Sequence, residues 1–293
     1  MPKEKVYLIR CTFLLTMYNS HNKGLFLKKI SLVLVLLLQY ATASETVAQY
    51  DIDFSVFGTI AKVSMSKVIE ESNYVITVRA DTIGPVSALT KDRRDTYISQ
   101  GSIANSQFIP DVLVVKRKTY DKEKYTVYKF NHIKKIVQKE SAEVKHVRSQ
   151  SMDIRHMRIV YTEKVEFSSS SSQNDYYAKN DIVSLIFNSP TYIDSLKRDK
   201  YKLFYAVGIK TDEGVLRLTQ ATNKANKNYL PGSIVPKINA FDITLKKEFF
   251  NKGKGTLAIR LDADGFPSQA VMNDVAFYGD IVGNRVYTKV VSK

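Results

Sequence analysis

Lys116, Arg117 and Lys118, followed by Tyr120, Lys122, Lys124 and Tyr125, form the densest group of residues able to do chemistry at a surface. Cations interleaved with tyrosines hold anions: the charges attract a phosphate or carboxylate, and the rings cover its apolar neighbour. The expected ligand class is an anionic lipid or a glycan. The same spacing also makes an ordinary solvated hairpin, and the pattern alone fits both.

The other candidates are thinner. None of His132, His146 and His156 falls within three or four residues of another, the spacing of a local ligand pair. Asp153 near His156 makes an incomplete metal pair. Asp262 and Asp264 flank a turn with Gly265, where paired carboxylates do acid–base work, bind calcium, or simply shape the turn. Ser168 to Ser172 is an unbroken serine tract, and no G-x-S-x-G elbow accompanies it. Asn251-Lys252-Gly253-Lys254-Gly255 lacks the third glycine of a phosphate loop and reads as a turn. No catalytic set, metal set or cofactor is expected from these residues.

Compartment is written at the N-terminus. Lys23, Lys28 and Lys29 precede an apolar run, Ile30 to Leu38, and then Gln39-Tyr40-Ala41-Thr42-Ala43. That order matches a charged region, a hydrophobic region and an A-x-A cleavage site. The run is too short to cross a bilayer, which takes roughly 20 apolar residues. Residues 1–43 are therefore expected to be a cleaved signal peptide, with Met1 or Met17 as its start. No membrane span is expected after cleavage, and the destination is the periplasm. The only cysteine, Cys11, lies in this leader, so the remainder has neither disulfide nor thiolate. The formal charge is +15, and removing the leader leaves 38 basic against 28 acidic residues, or +10. A basic exported chain favours anionic envelope components over nucleic acid.

The elements that position these groups are strands. Tyr50, Ile52, Phe54 and Val56 alternate with polar residues, as do Ala61, Val63 and Met65, and then Tyr74, Ile76 and Val78. Period two with polar turns at Gly58 and Glu70–Asn73 predicts an antiparallel meander. Ile83-Gly84-Pro85-Val86 predicts a change of direction into a short helical turn. Further runs at 95–99, 112–116, 125–130 and 136–138 are punctuated by Gly101 and Pro110. From about 139 to 180 the chain turns charged and serine-rich, and an exposed inserted hairpin with a flexible serine end is expected. Asp181 to Asn188 is the best helix, capped by Asp181, with Ile182, Leu185 and Ile186 on one face and Ser189-Pro190 ending it. Runs at 203–209, 215–219, 241–245, 257–261, 269–272, 275–278 and 285–291 complete a single domain over 44–293. The fold class is all-β, mainly antiparallel: a curved sheet closing towards a barrel or sandwich, with one or two short helices.

With these segments in order, the chain resembles the exported bacterial proteins grouped as domain of unknown function 3108. The resemblance runs through Tyr50 to Gly58, Thr82-Ile83-Gly84, Gly101 and Pro110. It continues at Asp181-Ile182-Val183-Ser184-Leu185, Asp264-Gly265-Phe266-Pro267 and Gly279-Asp280-Ile281-Val282-Gly283, omitting the serine-rich insertion. It implies a periplasmic, signal-bearing, β-rich protein and carries over no catalytic residue. The expected function is non-enzymatic: binding a lipophilic or anionic envelope ligand, or association with the cell envelope. The alternatives are a scaffold that docks an envelope protein partner, and a hydrolase of envelope polymers.

Overall fold

The computed structural model describes residues 44–153, 158–193, 201–209, 215–220, 240–245, 255–262, 264–272 and 280–291. Ser44–Lys293 forms one compact unit, and residues 1–43, expected to be a signal peptide, lie outside the described residues. The unit is mostly antiparallel sheet, as its alternating sequence requires.

β1 (Ser44–Phe54), β2 (Gly58–Glu70) and β3 (Asn73–Thr82) form the expected meander. Tyr50 lies opposite Val63, and Met65 opposite Val78, so their side chains share one face. Tyr50, Met65, Tyr74 and Ile76 are buried there. Val56 departs from the expected apolar face. It is 60% exposed because β1 ends at Phe54 and the chain has already turned. α1 (Gly84–Leu89) follows, with Pro85 near its start, where a missing N–H does no harm.

β4 (Arg94–Ala104), β5 (Gln107–Lys118) and β6 (Lys122–Asn131) continue the meander. Gly101 and Pro110 do not interrupt strands as expected; they face each other across the β4–β5 ladder at a bulge. A side chain on Gly101 would sit 1.9 Å from the Ile109 carbonyl oxygen, so only glycine admits this approach. β7 (Ile136–Asp153) and β8 (Arg158–Gln173) form the expected hairpin. Its serine tract is not a flexible end. Ser168 to Ser172 pair with Glu143 to Lys139 as regular strand, because the long β7 partner supplies a ladder that serine does not oppose.

The second half begins with β9 (Asn180–Asp181) and α2 (Ile182–Ile193). β10 (Tyr201–Val207), β11 (Val215–Gln220), β12 (Ala240–Leu245), β13 (Gly255–Leu261), β14 (Pro267–Met272) and β15 (Ile281–Val291) follow. The expected strand at 275–278 lies outside the described residues. Spatially the order is β8-β7-β6-β5-β4-β3-β2-β1-β15-β14-β13-β12-β11-β10-β9. The first and last strands therefore lie side by side in the middle. The chain also passes from one end of the sheet to the other through residues 174–179 alone.

That link dictates the curvature. Laid flat, fifteen strands would put their ends roughly 65 Å apart. Six linking residues reach at most roughly 25 Å. The sheet must curl until its ends approach. Tyr176 Oη accordingly donates to the Ala206 carbonyl at 3.0 Å, and Val137 of β7 packs with Val207 of β10. No described ladder joins β8 to β9, so the result is a curved sheet rather than a closed barrel.

α2 sits inside the curl. Val183 and Phe187 pack with Tyr74, Leu113 and Phe266, whereas Leu185 packs with Phe204, Ala206 and Ile259. A helix covered on both sides needs more than one apolar stripe, which is why the buried positions exceed the expected face. Asp181 caps it as expected: Ser184 N donates to Oδ1 at 2.7 Å, and Asp181 N donates back to Ser184 Oγ at 3.0 Å. Pro190 does not end the helix. Its ring nitrogen leaves the Ile186 carbonyl without its usual donor, and the Ser189 hydroxyl takes that place at 2.5 Å.

Candidate functional site

The basic cluster lies on the β5–β6 hairpin, and the pleat divides it. Lys118 lies opposite Glu123, and Arg117 opposite Lys124, so neighbouring positions point to opposite faces. Lys116 and Lys118 reach the outer face. There Glu123 receives Lys116 at 2.6 Å and Lys118 at 3.8 Å, and Lys116 lies over the Tyr125 ring. Burial opposes ionisation of Glu123, but Lys116, Tyr125 and Lys118 outweigh it and hold the carboxyl below its usual range. Tyr120 is in the turn, exposed, under the Lys91 ammonium, which pairs with Asp121 at 2.7 Å.

Arg117, Lys122 and Lys124 reach the inner face, the one that α2 covers further along. There they join residues that the sequence did not single out. Arg93 binds Asp95 at 2.5 Å, and Asp95 also accepts from Arg117 at 3.1 Å. Glu143 of β7 receives Lys122 at 2.8 Å and Lys124 at 3.9 Å. The register adds Lys145, opposite Lys122, and the pair Lys164–Glu166 on β8. Burial opposes ionisation of Asp95, yet the two arginines win and keep it charged below the ordinary carboxylate range.

A charged row thus crosses β4 to β8 along one side of the curl. Each central acid, Asp95 and Glu143, is shared by two cations, so positive charge is left over at both nodes. An open depression of about 480 Å³ adjoins the row, lined by Glu143, Lys145, Lys164, Glu166, Phe167 and Ser168. Multipoint cation contacts beside a shallow recess can hold an anion. Arg93, Lys145 and Lys164 were hidden because strands distant in sequence bring them together. Only the register shows that they share a face with Lys122.

The remaining candidates are structural. His132 hydrogen-bonds the Pro110 carbonyl at 2.7 Å and Tyr177 Oη at 2.9 Å, and stacks on Phe130. It satisfies the strand where the proline bulge leaves a carbonyl free. His146 sits on β7 opposite Val165. His156 and residues 251–254 lie outside the described residues. Asp262 and Asp264 are both bound by Arg285, the latter at 2.7 Å, so the turn's carboxylates already have a cation. Asp264 also accepts from Phe266 N at 2.9 Å, closing a tight turn. Among the described residues no group of three His, Cys, Asp or Glu side chains is placed for a metal, and no helix is long and apolar enough to cross a membrane.

Among the described residues, aromatic side chains pack against α2. Phe108 meets Tyr74 and Phe187 edge to face at 5.0 and 5.8 Å, and Phe187 meets Phe266 at 5.4 Å. No family model, curated protein or solved structure matches the chain.

Proposed function

We propose that the protein is a non-enzymatic, exported, envelope-associated binding protein that holds an anionic ligand on the inner-face row. The observation that carries this reading is that the inner-face row, where Asp95 and Glu143 are each shared by two cations, adjoins the open depression at Glu143 and Lys145, whereas Glu123 with Lys116 and Lys118 does not line it. Arg117, Lys122 and Lys124, with Arg93 and Lys145, are the contacting residues. The outer pair Lys116 and Lys118 contributes only long-range attraction. A lipophilic ligand has less support, because aromatic side chains occupy the described space around α2. Export is supported by the leader and by the compact unit beginning at Ser44, directly after the A-x-A sequence.

Flotation with anionic phosphatidylglycerol vesicles tests binding, with zwitterionic vesicles and an acidic glycan as the other arms. Binding should weaken as salt rises from 0.05 to about 0.5 M, and Lys122→Glu with Lys124→Glu should abolish it. Equal binding to zwitterionic vesicles, or indifference to both reversals, would refute the site. N-terminal sequencing of protein from the native host should begin at Ser44.

A further inference from the structure

β8 ends the sheet, and among the described residues no strand pairs with its outer edge. The strand is long and contains no proline. The β6 ladder stops at Lys145, beyond which β7 and β8 run on as a ribbon of two strands. Two-stranded ribbons are marginal in water, and long uncovered edges are ones that proteins normally protect. The ribbon's outer face carries Met152, Ile159, Tyr161 and Val165, each more than half exposed, and Phe167 continues that row where β6 still backs the hairpin. Such a surface is incomplete as it stands.

We propose that the missing strand is β8 of a second copy of this chain, paired antiparallel, edge to edge, about a twofold axis through Val165. Charge favours both the occupant and the register, because the axis at Val165 is the one that sets Lys164 against Glu166. Centring the axis on Lys164 would set that lysine against itself; centring it on Glu163 or Glu166 would oppose two carboxylates. Like charges directly opposite destabilise a ladder. With Val165 at the axis, Lys164 faces Glu166 of the second copy, and the symmetry makes that pair twice. Size agrees with charge. In this register Tyr161 lies against Ser169 and Ile159 against Ser171 of the second copy, so the serine tract leaves room for the large side chains. Glu163 keeps its own Arg148, which binds it at 2.6 Å. The pairing lays the two-stranded ribbon of each copy against the serine-rich half of the other copy's β8, which β6 and β7 already back, and so makes one continuous sheet. It rests on the β8 edge alone and not on the anion-binding reading.

Sedimentation velocity on the full chain with Cys11→Ser tests it. A dimer is expected. Lys164→Glu or Glu166→Lys alone should weaken it roughly tenfold or more, since each reversal replaces two attractive pairs by two repulsive ones. The double reversal should restore it. Val165→Cys in the same background should form a disulfide dimer under mild oxidation, because residues directly opposite on antiparallel strands lie within disulfide range. Far-UV circular dichroism confirms that each variant keeps the fold. A wild-type chain that stays monomeric at all concentrations, or a dimer indifferent to both reversals, would overturn the proposal.

Discussion

Asp181→Asn separates the two forces acting on the buried helix cap. Asp181 is wholly buried between β9 and α2. Its carboxylate accepts from Ser184 N at 2.7 Å and from Ser99 Oγ at 2.6 Å, and Ser99 in turn accepts from Tyr74 Oη at 3.0 Å. Burial raises its pKa from 3.8 to about 6, against the hydrogen bonds that favour the charged form. The folded state therefore holds the proton more tightly than the unfolded chain. This contribution to stability is full below about pH 4 and is lost as pH rises through about 6. A difference of about two pKa units corresponds to about 3 kcal/mol. Asparagine keeps an oxygen for Ser184 N and offers its amide to Ser99 without any charge. Urea unfolding of both proteins from pH 4 to 7.5 isolates the effect, because the other titrating groups are common to both. Wild type should lose about 2.5 kcal/mol relative to Asp181→Asn as pH rises over that range, the remainder being already lost at pH 4, where the unfolded carboxyl is partly ionised. A flat difference, or one of opposite slope, would mean that the hydrogen bonds outweigh burial and the cap is ionised throughout.

Two further substitutions test the backbone devices. Gly101→Ala places a methyl group 1.9 Å from the Ile109 carbonyl oxygen and 2.8 Å from Asp111 N, both main chain, and should lower stability by about 3 kcal/mol in the same assay. Ser189→Ala removes the donor to the Ile186 carbonyl and should cost about 1 kcal/mol. Adding Pro190→Ala should recover it, since alanine restores the N–H that proline lacks.

Strand positions were legible because their cause is local. Alternation from Tyr50 to Val78 fixes which side chains go inward, whatever the rest of the chain does. The same holds for the turn at Asp262–Gly265 and the Asp181 cap. Three features escaped because their causes are distant. Ser168 to Ser172 looks like linker until β7 is laid beside it. Pro190 looks like a helix end until Ser189 is seen to bond Ile186. Lys116 to Lys124 looks like one patch, but the pleat sends Lys116 and Lys118 outward and Arg117, Lys122 and Lys124 inward. What those inner cations meet, Asp95 and Glu143, lies one strand away on either side of the β5–β6 hairpin.

Geometry explains why the charged row is where it is. α2 has 12 residues, about 18 Å of helix, and so spans only about four strands of a fifteen-stranded sheet. Its buried contacts fall on Tyr74, Leu113, Phe204 and Ile259. Among the described residues no helix lies over the far corner of the inner face, from Asp95 to Lys164. An inner face without a cover cannot remain apolar in water, so the alternation that supplies Tyr97 and Leu113 beneath the helix supplies Asp95 and Arg117 at the corner. The cations there are consequently held by a rigid ladder rather than a loop, and they stand beside a recess instead of on the convex outside. Lys116 and Lys118 have the same charge and nearly the same sequence position but lack that recess. A ligand that distinguishes Lys122 and Lys124 from Lys116 and Lys118 would be sensing the curvature of the sheet.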